Sequence, residues 1–382
     1  MSTVLYAECP RYEVTAVLEA PDCGFQAARI LAWDINVLGD VVGCFSCPGG
    51  NDVPFIWHLG SELSVLDLLD GITEGRAYAV NDVGQVTGFM GPPRRGFLLD
   101  GDDVFDFGLV PESTRAESLD INNSGMAVGF WTHVVVGPTH GFIWQDGKTL
   151  SLADSIGADF SRARGVNNFG QVVGWRQVTL AEERIAFLWD DGVVTELGVI
   201  PGGCSSEAFA INDGGAVVGY SELPAPGRPG ELDAHAFLWR DGEMVDLGTL
   251  PGLKTSMAHA INSSDQVVGV TSSSGVGGSA FLWEGGCMFD LNDLVPPEFG
   301  RPLGLALSLN DVGQILVTGL DFAAVLSPTG VSLADVDGDC VVGFGDLLAV
   351  ISDWGRSDTS TDFNCDMTVD FRDLLFLLAH WG

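Results

Sequence analysis

The sequence predicts an all-β fold, a seven-bladed β-propeller of four-stranded repeats, followed by a small α-helical C-terminal module. Three observations predict it. A short apolar strand, Asn-x-x-Gly and a second apolar strand recur seven times. A Phe-Leu-Trp strand with its own tight turn follows almost every copy. The last fifty or so residues carry neither pattern, but contain two matching acidic loops, each opening a short apolar helix.

The first pattern is anchored by Asn36, Asn81, Asn122, Asn167, Asn212, Asn262 and Asn310. These span 274 residues in six intervals, a mean of about 46, the period of a four-stranded blade. Asn and Asp tolerate turn conformations and Gly supplies a positive φ, so each copy reads as a hairpin. Asp265 stands where the other copies have Gly, and Asp is among the few residues that accept a left-handed backbone. Val317 replaces the Gly that ends the second strand elsewhere, which predicts a distorted seventh hairpin.

The second pattern runs from Phe55, Phe97, Phe142, Phe187, Phe237 and Phe281. In its fullest form, Ala236-Phe237-Leu238-Trp239-Arg240-Asp241-Gly242 leads to Asp246-Leu247-Gly248. Asp191-Gly192 and Asp241-Gly242 are two-residue hairpin signals, so each unit holds four strands in two hairpins. Trp57, Trp144, Trp189, Trp239 and Trp283 share one repeat position, which favours packing between blades over a ring of sugar-binding aromatics. The seventh copy has three strands, and Tyr12 to Leu18 resembles a fourth without a partner. An N-terminal strand completing the last blade would close the ring and remove exposed sheet edges. An open β array and a β-solenoid are the alternatives.

Composition narrows the partners. The 382 residues include 51 Gly and are 46% hydrophobic and 18% charged, far from a disordered composition. There are 52 acidic against 17 basic residues, a formal net charge of −35, with Lys148 and Lys254 the sole lysines. Such a chain cannot offer phosphates a broad basic face, which argues against nucleic acid and against anionic membrane surfaces. No segment has the roughly 18 continuous apolar residues of a membrane span. Met1 to Pro10 shows no basic-then-apolar leader, and 1–11 is read as a leader remnant of an extracellular or cell-surface protein. A monomer is expected. Of eight cysteines, Cys44 and Cys47 form a lone CxxC, read as a local disulfide or two free thiols, since zinc would need a second pair.

Ala-x-Ile-Asn-x-x-Gly-x-Val-Val-Gly, Ala-Phe-Leu-Trp and Asp-Leu-Gly-Thr-Leu-Pro-Gly together resemble the HAF repeat family of bacterial extracellular proteins. The His-Ala-Phe triplet of the name stands at His235-Ala236-Phe237. The resemblance covers about residues 12–330. It implies location and architecture and transfers no catalytic residue.

In the C-terminal segment, oxygen-bearing side chains fall at loop positions 1, 3, 5 and 12: Asp335, Asp337, Asp339 and Asp346, then Asp362, Asn364, Asp366 and Asp373, with Asp370 at position 9 of the second loop. The carbonyls of Val341 and Thr368 sit at position 7. A hard cation such as Ca²⁺ takes six to eight oxygens from a loop of this kind, so two calcium ions are expected. The loops are offset by 27 residues, and Phe344, Leu347-Leu348 and Trp354-Gly355 match Phe371, Leu374-Leu375 and Trp381-Gly382. The pair resembles a type I dockerin over about 48 residues, which implies calcium-dependent folding and docking to a cohesin-like or cell-surface partner. Position 6, usually Gly, is Cys340 and Met367, and a Cys340–Cys365 disulfide between the loops could compensate. The domains expected are 12–331 for the propeller and 332–382 for the dockerin-like module.

No Gly-x-Ser-x-Gly, Gly-Lys phosphate loop or His-Glu-x-x-His is present. The expected function is a non-catalytic extracellular propeller binding a ligand or surface, with polysaccharide among the partners considered, and tethered by its calcium module. The alternatives are a polysaccharide-degrading glycoside hydrolase or lyase, and a protein-interaction scaffold. A carboxylate pair unique to one blade at a central pocket would favour the enzyme. The inserts at 44–54, 130–140 and 222–233 are the loops where function is expected.

Overall fold

The structure, a computed structural model, describes all residues except 1–10, 22–28, 48, 70–71, 73, 109–112, 134–136, 180–182, 229, 274–275, 320, 333, 337–340, 358 and 382, and the side chains of 154 and 276. The expected leader remnant therefore lies almost wholly outside the described residues.

Seven four-stranded antiparallel sheets form the blades of a propeller. Blade 1 spans Arg29–Val65, blade 2 Gly75–Asp106, blade 3 Arg115–Ser151, blade 4 Phe160–Gly198, blade 5 Ser205–Gly248 and blade 6 Thr255–Asp290. Blade 7 takes three strands from Leu305–Pro328 and its fourth from Tyr12–Glu19, which pairs along Phe322–Pro328 from Tyr12↔Pro328 to Glu19↔Phe322. The ring is thus closed by the N-terminal strand, as the unpaired strand in the sequence implied.

The Asn turns join first and second strands. Asn36 Oδ1 accepts from the Leu38 and Asp40 N–H groups at 3.0 and 2.9 Å, curling the turn around its own side chain. Its Nδ2 reaches the next blade and donates to Asn81 O at 3.1 Å. The same bond repeats from Asn81 to Asn122 O (2.9 Å), Asn122 to Asn167 O (2.9 Å), Asn167 to Asn212 O (3.2 Å), Asn212 to Asn262 O (2.9 Å) and Asn262 to Asn310 O (3.2 Å). Asn310 then donates to Asn36 O at 2.7 Å, so seven buried amides make one closed belt around the axis. The sequence shows Asn as a turn former; the belt adds a second reason for Asn, because Asp has no N–H to pass on.

Above each turn the first strand bulges. Ala77 pairs with Gly88 and Ala79 with Thr87, leaving Tyr78 unpaired. The bulge presses the first strand against the second: a Cβ on Gly88, Gly129, Gly174 or Gly219 would lie 1.9–2.0 Å from a backbone oxygen of the first strand. Blade 7 keeps the same pairing with Val317 in place of Gly, Ala306↔Val317 then Ser308↔Leu316, so the predicted distortion of that hairpin does not occur in its register. Asp191 and Gly192 (φ 41° and 88°), Asp241 and Gly242 (52° and 91°) and Asp265 (62°) all have the left-handed backbone the sequence assigned them.

The core lies between blades. Phe55, Phe97, Phe142, Phe187, Phe237 and Phe281 are at most 1% exposed, each contributing about 2–3 kcal/mol of burial. Trp57, Trp144, Trp189 and Trp239 are buried beside them and Trp283 is half-buried, so they pack blades and form no sugar-binding ring.

Two nine-residue helices, Phe344–Ser352 and Phe371–Ala379, follow the acidic loops and enclose a small core of Ala334, Val342, Val350, Phe363, Val369 and Leu377. Cys365 is bonded to Cys287 in the outer strand of blade 6, which corrects the suggested Cys340–Cys365 bridge. The physical reason is proximity: Phe363 O lies 3.5 Å from Cys287 Sγ, so the second loop rests on blade 6. Cys340 itself lies outside the described residues. Neither reading of the CxxC holds, since Cys47 is disulfide-bonded while Cys44 is a buried free thiol pushed up to about 12 by burial. Among the described residues no helix is long and apolar enough to cross a membrane.

If the belt locks the ring, Asn122→Ala leaves buried backbone groups of two blades without partners and lowers stability by about 3 kcal/mol in chemical denaturation. Asn123→Ala, which removes only the exposed side-chain bonds to Asp82, costs about 1 kcal/mol or less. Equal losses would remove the belt from this role.

Candidate functional site

The first strands line the axis. Their Asn turns ring one end of the channel, around a cavity of about 180 Å³ walled by Asp34, Asn36, Asp82, Asn123, Asn168 and Asp213 among others. Strand direction puts the loops between second and third strands, and the connections between blades, at the opposite end.

That loop-side mouth departs from the repeat. Five residues before each Asn stand Leu31, Arg76, Glu117, Arg162, Glu207, Met257 and Leu305; three before stand Trp33, Tyr78, Leu119, Arg164, Phe209, His259 and Leu307. Their contacts form one continuous band. Arg76 lies over Trp33 (5.6 Å) and Phe89, and Arg94 over Phe89 (4.4 Å). Arg94 and Arg115 share Glu117 at 2.9 and 4.0 Å. Arg115 and Arg162 flank Phe130 at 5.3 and 4.2 Å. Arg184 covers Trp175 (4.5 Å) and pairs with Glu207, which Arg164 meets at 3.6 Å. Arg164 lies over Phe209 (4.8 Å), whose ring is 5.8 Å from His259. The last link is His259 Nδ1 to Ala306 O, 3.0 Å, in blade 7.

Six of the chain's 17 basic residues thus gather here against Glu117, Glu207 and Asp52, the partner of Arg76 at 2.7 Å. Among the described residues named here that is six cations to three carboxylates, in a chain of −35. Burial, then Arg164 and Arg115, lower Arg162 to about 10, so it remains a cation at neutral pH. Burial also pushes His259 down, leaving it neutral. Nothing in the sequence signals this band beyond the residue types at two repeat positions.

Two carboxylates mark the channel deeper in. Two residues before each Asn the repeat has Asp34, Ala79, Asp120, Gly165, Ala210, Ala260 and Ser308. Asp34 accepts from Val80 N (2.9 Å) and Ser308 Oγ (2.6 Å), and Asp120 from Val166 N (2.8 Å), so each ties neighbouring blades. Although part of each side chain borders the channel, protein surrounds both. Burial, reinforced by Asp34, raises Asp120 to about 7, and burial raises Asp34 also. Among the described residues the three inserts bring no such pair to the channel: Arg228 is tied to Asp233 and Glu231, and Trp131 packs on His133 and His140.

Of the predicted calcium ligands, Asp337 and Asp339 lie outside the described residues. Asp335 is buried, Val341 is exposed, and Asp346 is fully buried in the first turn of its helix. Asp346 accepts from Val336 N (2.6 Å) and Gly343 N (2.7 Å); Asp373, 27 residues later, accepts from Phe363 N and Asp370 N, both at 2.8 Å. In the second loop Asp362 clamps the N–H groups of Asp366 (3.2 Å) and Met367 (2.9 Å), Asn364 Nδ2 bonds Asp366 (3.1 Å), Thr368 N reaches Asp366 Oδ1 (3.0 Å), and Asp370 caps Arg372 N (2.7 Å). Burial, with Asp373 and Asp366 close by, raises Asp362. Among the described residues no three His, Cys, Asp or Glu converge as a metal cluster. The donor set is all oxygen, the chemistry of a hard cation. Met367 has φ 68°, so position 6 adopts the turn that Gly usually supplies.

Comparison with solved structures returns matches at low sequence identity. A puromycin-hydrolyzing peptidase of Mycobacterium tuberculosis aligns with TM-score 0.53 at 12% identity, covering 85% of this chain and 54% of that one. The β-propeller domain of the Trilobed protease from Pyrococcus furiosus aligns at 0.46 and 13% identity over 75% and 97% of the two chains. Virginiamycin B lyase from Staphylococcus aureus aligns at 0.46 and 11% over 78% and 98%. The chain spans about half the length of the mycobacterial peptidase, and likeness at this identity is one of fold. No protein-family model and no curated protein matches the chain.

Two outcomes follow from this geometry. Asp120 holds its proton more tightly folded than unfolded, so between about pH 4 and pH 7 folding takes up a proton and stability falls as pH rises. Asp120→Asn flattens that slope and gains about 1 kcal/mol at pH 8, read from denaturation at several pH values. Met367→Gly removes a left-handed side chain and stabilises the C-terminal module by about 1 kcal/mol, read from helix melting.

Proposed function

We propose that this protein is a non-catalytic, extracellular binding propeller that takes its ligand at the loop-side mouth and is anchored through a calcium-dependent, dockerin-like module. The Arg–aromatic band at the mouth carries the reading. It breaks the repeat where blades 2 to 5 face the axis, and repeats are kept where only packing is required. A polysaccharide is the ligand class the reading favours. Extracellular location is supported by Cys287–Cys365, since such bonds persist in oxidising compartments.

The module's helices support a docking role. Phe344, Leu348 and Ile351 are exposed, as are Phe371, Leu375 and Leu378 at the equivalent positions of the second helix. Two like apolar stripes are a surface that suits a protein partner, here a cohesin-like or cell-surface protein. Asp335, Asp337, Asp339, Val341 and Asp346, and Asp362, Asn364, Asp366, Thr368, Asp370 and Asp373, are the proposed ligands of two Ca²⁺ ions. Calcium would neutralise carboxylates that otherwise repel.

A second reading, a polysaccharide hydrolase or lyase, is favoured by one observation: Asp34 and Asp120 are unrepeated channel carboxylates, and Asp120 is tuned near neutrality.

Affinity electrophoresis of the full chain in polysaccharide gels tests the binding reading. Retardation that Trp33→Ala and Tyr78→Ala weaken more than about tenfold supports the mouth. Retardation unchanged by both would place the ligand elsewhere, and polysaccharide cleavage abolished by Asp120→Asn would put the enzyme first. Chelation should remove the helical circular-dichroism signal at unchanged propeller melting. A propeller transition that falls with chelator would end the separation of the two units.

A further inference from the structure

We propose that the mouth between blades 3 and 5 recognises a single carboxylate on an otherwise uncharged ligand, with Arg162 as the central contact and Arg115 and Arg164 beside it. The proposal rests on the reading that the mouth is the ligand site, and it names the chemistry taken there: a uronate among neutral sugars.

Charge is left over at this place. Among the described residues, the ion pairs of Arg94, Arg115, Arg164 and Arg184 run to Glu117 and Glu207 alone, so with Arg162 five guanidinium groups share two carboxylates. Arg162 has no carboxylate partner among the described residues, and its Nε, like those of Arg115 and Arg164, is buried without a hydrogen bond. A guanidinium withdrawn from water without an anion is destabilising, and a fold that needed only packing there would be served by an aliphatic side chain. The cation is nevertheless held in place, between Phe130 at 4.2 Å and Trp175 at 5.9 Å.

The geometry selects the ligand group. Phe130 and Trp175 are buried, 2% and 4% exposed, so an incoming group meets guanidinium edges and not aromatic faces. A guanidinium fork matches the two oxygens of a planar carboxylate. The rest of the molecule selects against more charge: a chain of −35 repels polyanions at its surface, while one carboxylate on a neutral body reaches the positive mouth with little penalty.

The full chain is melted with sodium D-glucuronate, D-glucose and inorganic phosphate as probes, at ionic strength matched with sodium chloride. The expected result is a rise in the propeller melting temperature with glucuronate alone. Arg162→Leu is expected to melt at the wild-type temperature or above it, and to weaken the glucuronate response more than about tenfold. Arg162→Lys, which keeps the charge without the fork, recovers the response in part. A residue serving only the fold would instead lower the melting temperature on Arg162→Leu. No response to glucuronate, an equal response to phosphate or glucose, or an equal response in Arg162→Leu overturns the proposal. Failure of the mouth itself is read separately: polysaccharide retardation lost in Trp33→Ala without any glucuronate response leaves the mouth standing and removes the carboxylate.

Discussion

Everything in the propeller hangs on one bond made seven times, the amide of each Asn turn donating to the backbone of the next. Blades of a propeller touch mainly through apolar side chains, which fix distance but not rotation. A hydrogen bond from a buried Nδ2 to a defined carbonyl fixes both, because a small rotation would strand a buried donor and a buried acceptor together. The same Asn curls its own turn through Oδ1, so local and global structure are satisfied by one side chain and cannot drift apart. Six intervals of unequal length, from 41 to 50 residues, still close into one ring because the belt ignores the loops between its members.

With the frame held there, other positions are released from packing duty, and the channel is where that freedom is spent. Ala77, Ala163, Ala208 and Ala258 stay small on the core side of the first strands. Their neighbours on the other side range from Leu31 to Arg162 to Glu207. A chain that needed only closure would repeat there too. The divergence is concentrated in blades 2 to 5, and it alternates Arg and Glu so that each cation borrows a neighbour's carboxylate until Arg162, which has none among the described residues.

The sequence made the frame legible because its causes are local. Strand length, Asp–Gly turns and the Asn period each act within about ten residues, and the closing strand could be inferred from a strand too many at one end and too few at the other. The channel was illegible for the complementary reason. Arg162 and Phe130 are 32 positions apart, as their numbers show, and meet only because blades 3 and 4 are adjacent. Asp34 and Asp120 likewise acquire meaning only as departures from Ala79 and Gly165 at one register position. The acidic loops were legible as spacing. The role of Cys365 was not, since its partner is 78 residues away in another unit.

That partner explains why blade 6 departs from its siblings at the outer hairpin. Blades 3 to 5 turn there through Asp146-Gly147, Asp191-Gly192 and Asp241-Gly242, all with positive φ; blade 6 uses Gly285-Gly286 followed by Cys287. A Cβ on Gly286 would lie 2.7 Å from Asn364 O, so glycine is required at that position by the approach of the second acidic loop as well as by φ 99°. Cys287, 3% exposed, then seals the contact to Cys365, beside Asn364 in that loop. The two apolar helix stripes are thereby held at a fixed place on the propeller rim instead of on a free tether.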